Sequence, residues 1–257
     1  MKTLALQNKL SWLEVSENNI RHNVNEIRRV ISEDVLLAPC VKANAYGHGL
    51  VQTAKLLTKC GVDWLCVNSL DEAILIRDAG IKLPLLILNS LHHDSFETAI
   101  NLNTRFFLYD LISATKLDRV ASKLRIKAKV HIKVDTGMSR QGVLASDFDR
   151  FMKDVSILDN IRVEGVATHF ATSDQTSDQD FFKRQLTTFK KVVSIGRTNY
   201  KDISIYHCAN SGATLTFPES HFDLVRTGIS VYGYYPSEEI MLDSQKNGLV
   251  LRPAMSF

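Results

Sequence analysis

Short apolar runs rich in β-branched residues alternate with segments of helical period along nearly the whole chain. That alternation is the pattern of repeated β and α units built around a parallel sheet. Eight runs read as strands: Val35 to Val41, Trp64 to Asn68, Leu83 to Asn89, Arg105 to Tyr109, Lys127 to Val134, Arg162 to His169, Ile203 to Ala209 and Phe222 to Arg226. Between them, Ile20, Val24, Ile27 and Ile31 repeat at helical spacing after Ser16 as N-cap. Phe182, Leu186, Phe189 and Val193 do the same after Ser177, with Asp180 placed as the acidic member of a capping box. Gly61 and Gly80 stand where left-handed C-caps favour glycine. Pro39 falls inside the first run and must forfeit a ladder hydrogen bond, so a local irregularity is expected there.

Eight strands with seven or eight helices in about 230 residues fit an α/β fold of the (β/α)8 TIM-barrel type better than an open doubly wound sheet. No G-x-G-x-x-G follows the first strand. The expected organisation is a barrel over residues 1–235. Residues 236–257 then form a connection into a C-terminal β domain that lies outside the sequence, because the apolar run from Gly248 to Phe257 stops abruptly.

Composition narrows the function classes. In 257 residues, 31 Lys and Arg against 28 Asp and Glu leave a charge of +3, so no nucleic-acid partner is expected. The longest nearly uncharged apolar stretches, such as Leu83 to Leu91, fall far short of the roughly 18 to 20 residues that span a bilayer. The start, Met1 to Lys9, turns polar too soon for a signal-peptide core, and a cytoplasmic protein without a membrane partner is expected. Cys40, Cys60, Cys66 and Cys208 form no C-x-x-C and have no histidine at zinc-ligand spacing. They read as reduced thiols, and no metal site is expected.

In such a barrel the site lies at the carboxyl ends of the strands. Reactive residues gather there: Lys42 after the first strand, Arg140 after the fifth, His169 at the sixth, Asn210 and Ser211 after the seventh, Arg226 and Gly228 at the eighth. Each alone has an ordinary structural reading; the coincidence of position does not. A lysine beside cations and partly buried has its pKa lowered and its free amine exposed, as a carbonyl-binding lysine needs. The loop Asn44 to Gly49 brings backbone and the Tyr46 phenol near it. Loops seven and eight commonly bind phosphate in barrels, so a phosphorylated carbonyl cofactor would satisfy both ends. Gly137 to Gly142 has the wrong spacing for a G-x-S-x-G elbow, no H-E-x-x-H occurs, and His92-His93 has no acidic third ligand at a motif spacing.

The run Val41-Lys42-Ala43-Asn44-Ala45-Tyr46-Gly47-His48-Gly49, with Val134 to Arg140, His169-Phe170-Ala171, Ala209 to Gly212 and Arg226 to Ile229, resembles the pyridoxal phosphate-dependent alanine racemases. The likeness runs from about Lys9 to Phe257. It implies an amino-acid racemase interconverting L- and D-alanine and supplying D-alanine for peptidoglycan, with pyridoxal 5'-phosphate as cofactor, a small amino acid as substrate and a homodimer as assembly. It further implies that Lys42 holds the cofactor and works the face of the α-carbon used for D-alanine. Tyr46, Ser211, Gly228 and Ile229 would bind phosphate with support from Asn210, and Arg226 would face the pyridine nitrogen. His169 would hold Arg226, and Arg140 would contact the cofactor phenol and the substrate carboxylate. Lys133 would be carbamylated, because an ordinary lysine there would repel Arg140.

The family's second base is a tyrosine on a C-terminal domain of the partner subunit, and its motif is absent from these residues, which implies impaired racemisation by this chain alone. A racemase for serine or another small amino acid is one alternative. A single-domain pyridoxal phosphate-binding homeostasis protein is another, and an inactive barrel used as an interaction module a third.

Overall fold

The computed structural model describes residues 12–256. The polar start from Met1 to Lys9 and the final Phe257 lie outside the described residues. Among these, the strands in chain order are β1 (Glu14–Val15), β2 (Leu36–Leu37), β3 (Leu65–Val67), β4 (Leu85–Ile87), β5 (Thr104–Leu108), β6 (Ala128–Asp135), β7 (Val143–Leu144), β8 (Ile161–Ala167), β9 (Ile205–His207), β10 (Leu224–Val225) and β11 (Met255–Ser256). Strands β3, β4, β5, β6, β8 and β9 pair in that order, all parallel, and β10 pairs parallel with β2. Two seams close the ring. Cys66 N donates to Pro39 O at 2.9 Å and Val41 N to Cys66 O at 2.8 Å; on the other side Asp223 N donates to Tyr206 O at 3.0 Å and Arg226 N to Ala209 O at 2.9 Å. The chain is an α/β barrel of the (β/α)8 type, with a strand inside or overlapping each of the eight runs read from the sequence.

Apart from β5 and β6, which match their runs in length, the strands are shorter than those runs. Pro39 shows why: without an N–H it ends the regular pairing of β2 at Leu37, yet its carbonyl still accepts from Cys66, and Cys40 bridges Cys66 as an isolated pair. Side chains alternate between two cores, as the period of two requires. Cys66, Leu86 and Phe107 enter the barrel lumen with Cys40, Trp64, Ala167, Ile205 and Leu224. Their neighbours Leu65, Val67, Leu85, Ile87, Phe106 and Leu108 face the helical shell.

The shell begins with helix α1 (Glu17–Val30), where Ser16 accepts from Asn19 N at 3.2 Å as the expected N-cap. Ile20, Val24 and Ile27 are its buried stripe. Gly61 and Gly80 adopt φ of +78° and +79° just after two helices, as the glycine placements predicted. Ser177 departs from expectation. The helix containing Phe182 and Phe189 starts at Asp180 with no side-chain cap, because the Ser177 N–H and hydroxyl go to Glu239 instead.

Residues 236–256 fold back onto α1. Ser237 caps helix Glu238–Lys246, Asn23 exchanges hydrogen bonds with the backbone of Arg252, and β11 pairs antiparallel with β1. Gly233 permits that return: its φ is +92° and a Cβ there would sit 1.9 Å from Arg252 O. No helix among the described residues is long and apolar enough to cross a membrane. The cysteines are free, with Cys40, Cys66 and Cys208 buried and Cys60 half-buried.

Candidate active site

A cavity of about 700 Å³ opens at the carboxyl ends of the barrel strands. Lys42, Tyr46, Lys133, Arg140, His169, Asn210, Ser211, Arg226, Gly228 and Ile229 all line it. The ten residues singled out in the sequence therefore meet at one place, though they span more than 180 positions of chain.

Lys42 opens an unusual piece of backbone. Ala43, Asn44, Ala45 and Tyr46 follow it with φ of 51°, 55°, 54° and 53°, a left-handed turn of four L-residues. Each such residue costs about 1–2 kcal/mol, so the turn persists only because its surroundings impose it. Glu72 does much of this: its Oε1 accepts from Ala43 N at 2.6 Å and its Oε2 from Asn68 N at 2.7 Å. Asn44 Oδ1 accepts from Leu50 N at 2.9 Å, which ties the turn to the next helix. The result aims Tyr46 back across the cavity mouth, with its ring 5.2 Å from that of Tyr232.

Beside the Lys42 loop, past the end of the neighbouring strand β10, a small polar cradle forms. Ser211 Oγ accepts from Gly228 N at 2.7 Å and from the Ser230 hydroxyl at 3.2 Å. A Cβ on Gly228 would lie 2.8 Å from the Tyr46 hydroxyl and 3.7 Å from Ser211 Oγ. Glycine thus leaves a space bounded by a phenol, a hydroxyl and backbone, the donor set that suits a phosphate. Burial pushes the Tyr46 phenol well up, with the Cys40 and Cys66 thiols adding to the shift, so it remains a donor at neutral pH. Asn210 holds the loop from outside, accepting from Ser173 Oγ at 2.7 Å and Ala213 N at 3.1 Å.

The cavity floor is cationic. Arg226 is buried, and its Nη2 donates to Thr168 O at 2.8 Å and Cys208 O at 3.2 Å. Its Nη1 is hydrogen-bonded to His207 Nδ1. His169, expected to hold Arg226, approaches only to 3.5 Å; His207, at the end of β9, is the histidine in firm contact. Sequence reading missed His207 because it sits inside the apolar run Ile205 to Ala209. Its two-residue offset from Ala209-Asn210-Ser211 was the available signal. Burial, with Arg226 next, holds the pKa of both His169 and His207 well below the usual histidine range, so both are neutral at pH 7.

Lys133 is the anomaly of the site. It is buried to 2% exposure and its Nζ has no hydrogen-bond partner. Burial first, then the Arg226 and Arg140 guanidinium groups, push its pKa well below that of an ordinary lysine. Among the described residues no carboxylate pairs with Lys133, Arg140 or Arg226. An orphaned buried amine next to two cations lacks an anion.

Comparison with known proteins agrees with this geometry. The family model described as alanine racemase, N-terminal domain, matches residues 15–236. The chain is 39% identical over 248 residues to alanine racemase 2 of Caldanaerobacter subterraneus, covering 95% of this chain and 62% of that protein. It is 38% identical over 246 residues to alanine racemase of Methanococcus maripaludis, covering 95% of this chain and 65% of the relative. The chain thus spans somewhat under two thirds of the length of these curated relatives. The solved alanine racemase of Clostridium difficile in complex with cycloserine superposes with a TM-score of 0.91 at 36% identity, covering 96% of this chain and 67% of that one. That of Bacillus anthracis with bound L-Ala-P gives 0.85 at 33%, covering 95% and 62%. With its barrel, its cavity and a family match over residues 15–236, the chain belongs to the alanine racemase family through that family's N-terminal domain.

Proposed function

We propose that this chain is the cofactor-binding barrel of an amino-acid racemase that interconverts L- and D-alanine with pyridoxal 5'-phosphate, supplying D-alanine for peptidoglycan. The observation that carries the reading is the convergence of Lys42, the neutral phosphate cradle and the carboxylate-free Arg226 on one cavity. The cofactor, when bound, supplies the electron sink that makes the α-hydrogen of an amino acid acidic.

The cradle of Tyr46, Ser211, Gly228 and Ile229 would hold its phosphate. Lys42 would hold its carbonyl end, and the Lys42 Nζ would take and return a proton on the face of the α-carbon used for D-alanine. Arg226 would face the ring nitrogen as a fixed cation, which disfavours protonation there and limits side reactions. Arg140, an exposed residue of the cavity lining, would contact the cofactor phenol and the substrate carboxylate. Lys133 would carry a carbamate: its neutral amine attacks carbon dioxide, a proton leaves, and the new anion pairs with Arg140. We assign the opposite face to a tyrosine of the partner subunit's C-terminal domain in a homodimer, with residues 1–235 as the barrel and 236–257 leading onward.

The test is deuterium incorporation at the α-carbon of D- and L-alanine in heavy water, with chiral analysis of the product. The cofactor-loaded chain is expected to exchange D-alanine with little inversion, and Lys42→Ala to lose both exchange and the cofactor's bound-state absorbance. A cofactor-loaded chain that exchanges neither enantiomer would overturn the assignment of Lys42.

A further inference from the structure

Beneath Arg226 the barrel lumen carries a line of buried polar side chains. Glu164 accepts from Arg105 Nε at 2.6 Å and Arg105 Nη2 at 3.2 Å. Its Oε2 faces His131 Nε2 at 3.7 Å, an electrostatic contact longer than a hydrogen bond. His131 Nδ1 lies 2.7 Å from His207 Nε2, and His207 Nδ1 is bonded to Arg226. All five residues are at most 8% exposed. The backbone makes room for them: the β6–β8 register shifts between Val130 and His131, and a Cβ on Gly165 would sit 2.8 Å from His131 Cε1 and Nδ1.

The proton positions along this line follow from Arg226. A guanidinium has donors only, so His207 Nδ1 must be bare and accept. The His207 proton is then on Nε2 and donates to His131 Nδ1, which must also be bare. The His131 proton is left on Nε2, pointing at the carboxylate. Burial lowers the pKa of both rings, in keeping with neutral histidines. Burial alone would raise the Glu164 carboxyl, but the facing His131 ring and Arg105 outweigh it and hold it at about 2, so it is an anion at neutral pH.

We propose that Glu164, held by Arg105, is a positioning residue that sets the tautomers of His131 and His207 and through them the orientation of the Arg226 guanidinium on the cavity floor. The proposal rests on reading Arg226 as the group that faces the cofactor ring nitrogen. Without the carboxylate, the contact of Arg226 with His207 Nδ1 is the one remaining hold on this direction, and a buried His131 Nε2–H with no hydrogen-bond partner faces no anion that favours it. In the reversed chain both protons sit on Nδ1, and a His207 N–H then opposes an Arg226 N–H. Two donors repel, and the guanidinium leaves its place.

The test uses the nitrogen-15-labelled chain without cofactor. Histidine ring spectra are assigned through the signals lost in His131→Gln and His207→Gln. Each of these two rings is expected to show one bare nitrogen, Nδ1, and one protonated nitrogen, Nε2, at pH 7; a protonated Nδ1 on His207, or a doubly protonated ring, would overturn the proposal. Glu164→Gln should lose the single-tautomer pattern and Glu164→Asp should retain it. Persistence of the pattern in Glu164→Gln also overturns it. Should that variant not fold, Gly165→Ala displaces the His131 ring with the carboxylate intact and should lose the pattern as well; an unchanged pattern there refutes the relay. In the loaded chain, the signal of a labelled cofactor ring nitrogen should move in Glu164→Gln and return in Glu164→Asp. Correct tautomers in a chain that takes no cofactor would sink the functional reading and leave the relay standing, whereas wrong tautomers in a cofactor-loaded chain would do the reverse.

Discussion

Gly228→Ala tests the phosphate cradle most directly. The added Cβ would lie 2.8 Å from the Tyr46 hydroxyl, against 3.4 Å for the start of ordinary contact, so the phenol must withdraw by about 0.6 Å (3.4 − 2.8). It has little freedom to do so. Its backbone is pinned in the left-handed turn, and its ring lies against Tyr232, whose own hydroxyl donates to Cys40 O at 2.8 Å. In the free chain the hydroxyl can still tilt away, but a bound phosphate needs it returned, so the strain appears as lost affinity. Overpacking of this kind costs roughly 1–3 kcal/mol, which is a roughly 5- to 150-fold loss at 1.4 kcal/mol per decade. The assay is spectroscopic titration of wild type and variant with pyridoxal phosphate and, in parallel, with pyridoxal, which lacks the phosphate. The phosphorylated ligand should weaken by that factor while pyridoxal changes little. Equal affinities for pyridoxal phosphate in the two proteins, or an equal loss for both ligands, would refute the cradle.

Glu72→Ala removes the acceptor of the Ala43 N–H in the left-handed turn together with that of the Asn68 N–H, and a half-exposed charged bond of this kind contributes about 1 kcal/mol; a lower urea midpoint at unchanged slope should report it, and an unshifted midpoint would show that the turn holds itself. Lys133→Met should stabilise the chain at pH 7 in buffer free of carbon dioxide, since it removes a buried amine with no partner. The sign for Lys133 is clear: with the folded pKa below the unfolded one, the unfolded chain binds more protons between the two values, so wild-type stability rises with pH through that window, and Lys133→Met should lack the rise. The backbone N–H groups of Thr176 and Ser177, with their hydroxyls, hold the Glu239 carboxyl at about 2, below its ordinary value of 4.5. Its contribution is present above pH 4.5 and lost as pH falls through about 2. The amide resonances of Thr176 and Ser177 should titrate together in that range, and in Glu239→Gln they should not.

What was legible in the sequence, and what was not, divides along physical lines. Strand existence was legible because a strand buried on both faces must be a continuous apolar run, as Leu85 to Ile87 and Phe106 to Leu108 are. Strand ends were not, because pairing depends on the neighbouring strand, and Pro39 cut β2 to two residues. Capping was legible at Ser16, where the oxygen has only its own helix to serve, and misleading at Ser177, where a carboxylate 62 positions away competes for the same groups. The cavity residues other than Lys133 were legible because they sit at or just past strand ends; Lys133, inside β6, was reached through the family resemblance alone. His131, Glu164 and His207 were not legible, because a polar residue inside an apolar strand carries no sign of which face it takes or what meets it across the lumen.

The charges of the cavity are arranged by position as much as by number. Lys42, Lys133, Arg140 and Arg226 line it, and Asp174 is the only acidic residue among its described lining residues. The cradle proposed for the phosphate, however, contains no cation: Tyr46, Ser211 and the Gly228 backbone are neutral groups. On the proposed reading, this separation orients the ligand. A cation in the cradle would let the carboxylate of a free amino acid compete for the phosphate position through simple charge pairing, whereas neutral donors converging on one point favour an anion with several acceptor oxygens. The guanidinium groups of Arg140 and Arg226 are left for the rim and the floor, where one planar carboxylate and one ring nitrogen are the expected partners. Lys133, buried near both, has no hydrogen-bond partner among the described residues, and on the proposed reading a carbamate there supplies the anion that Arg140 lacks.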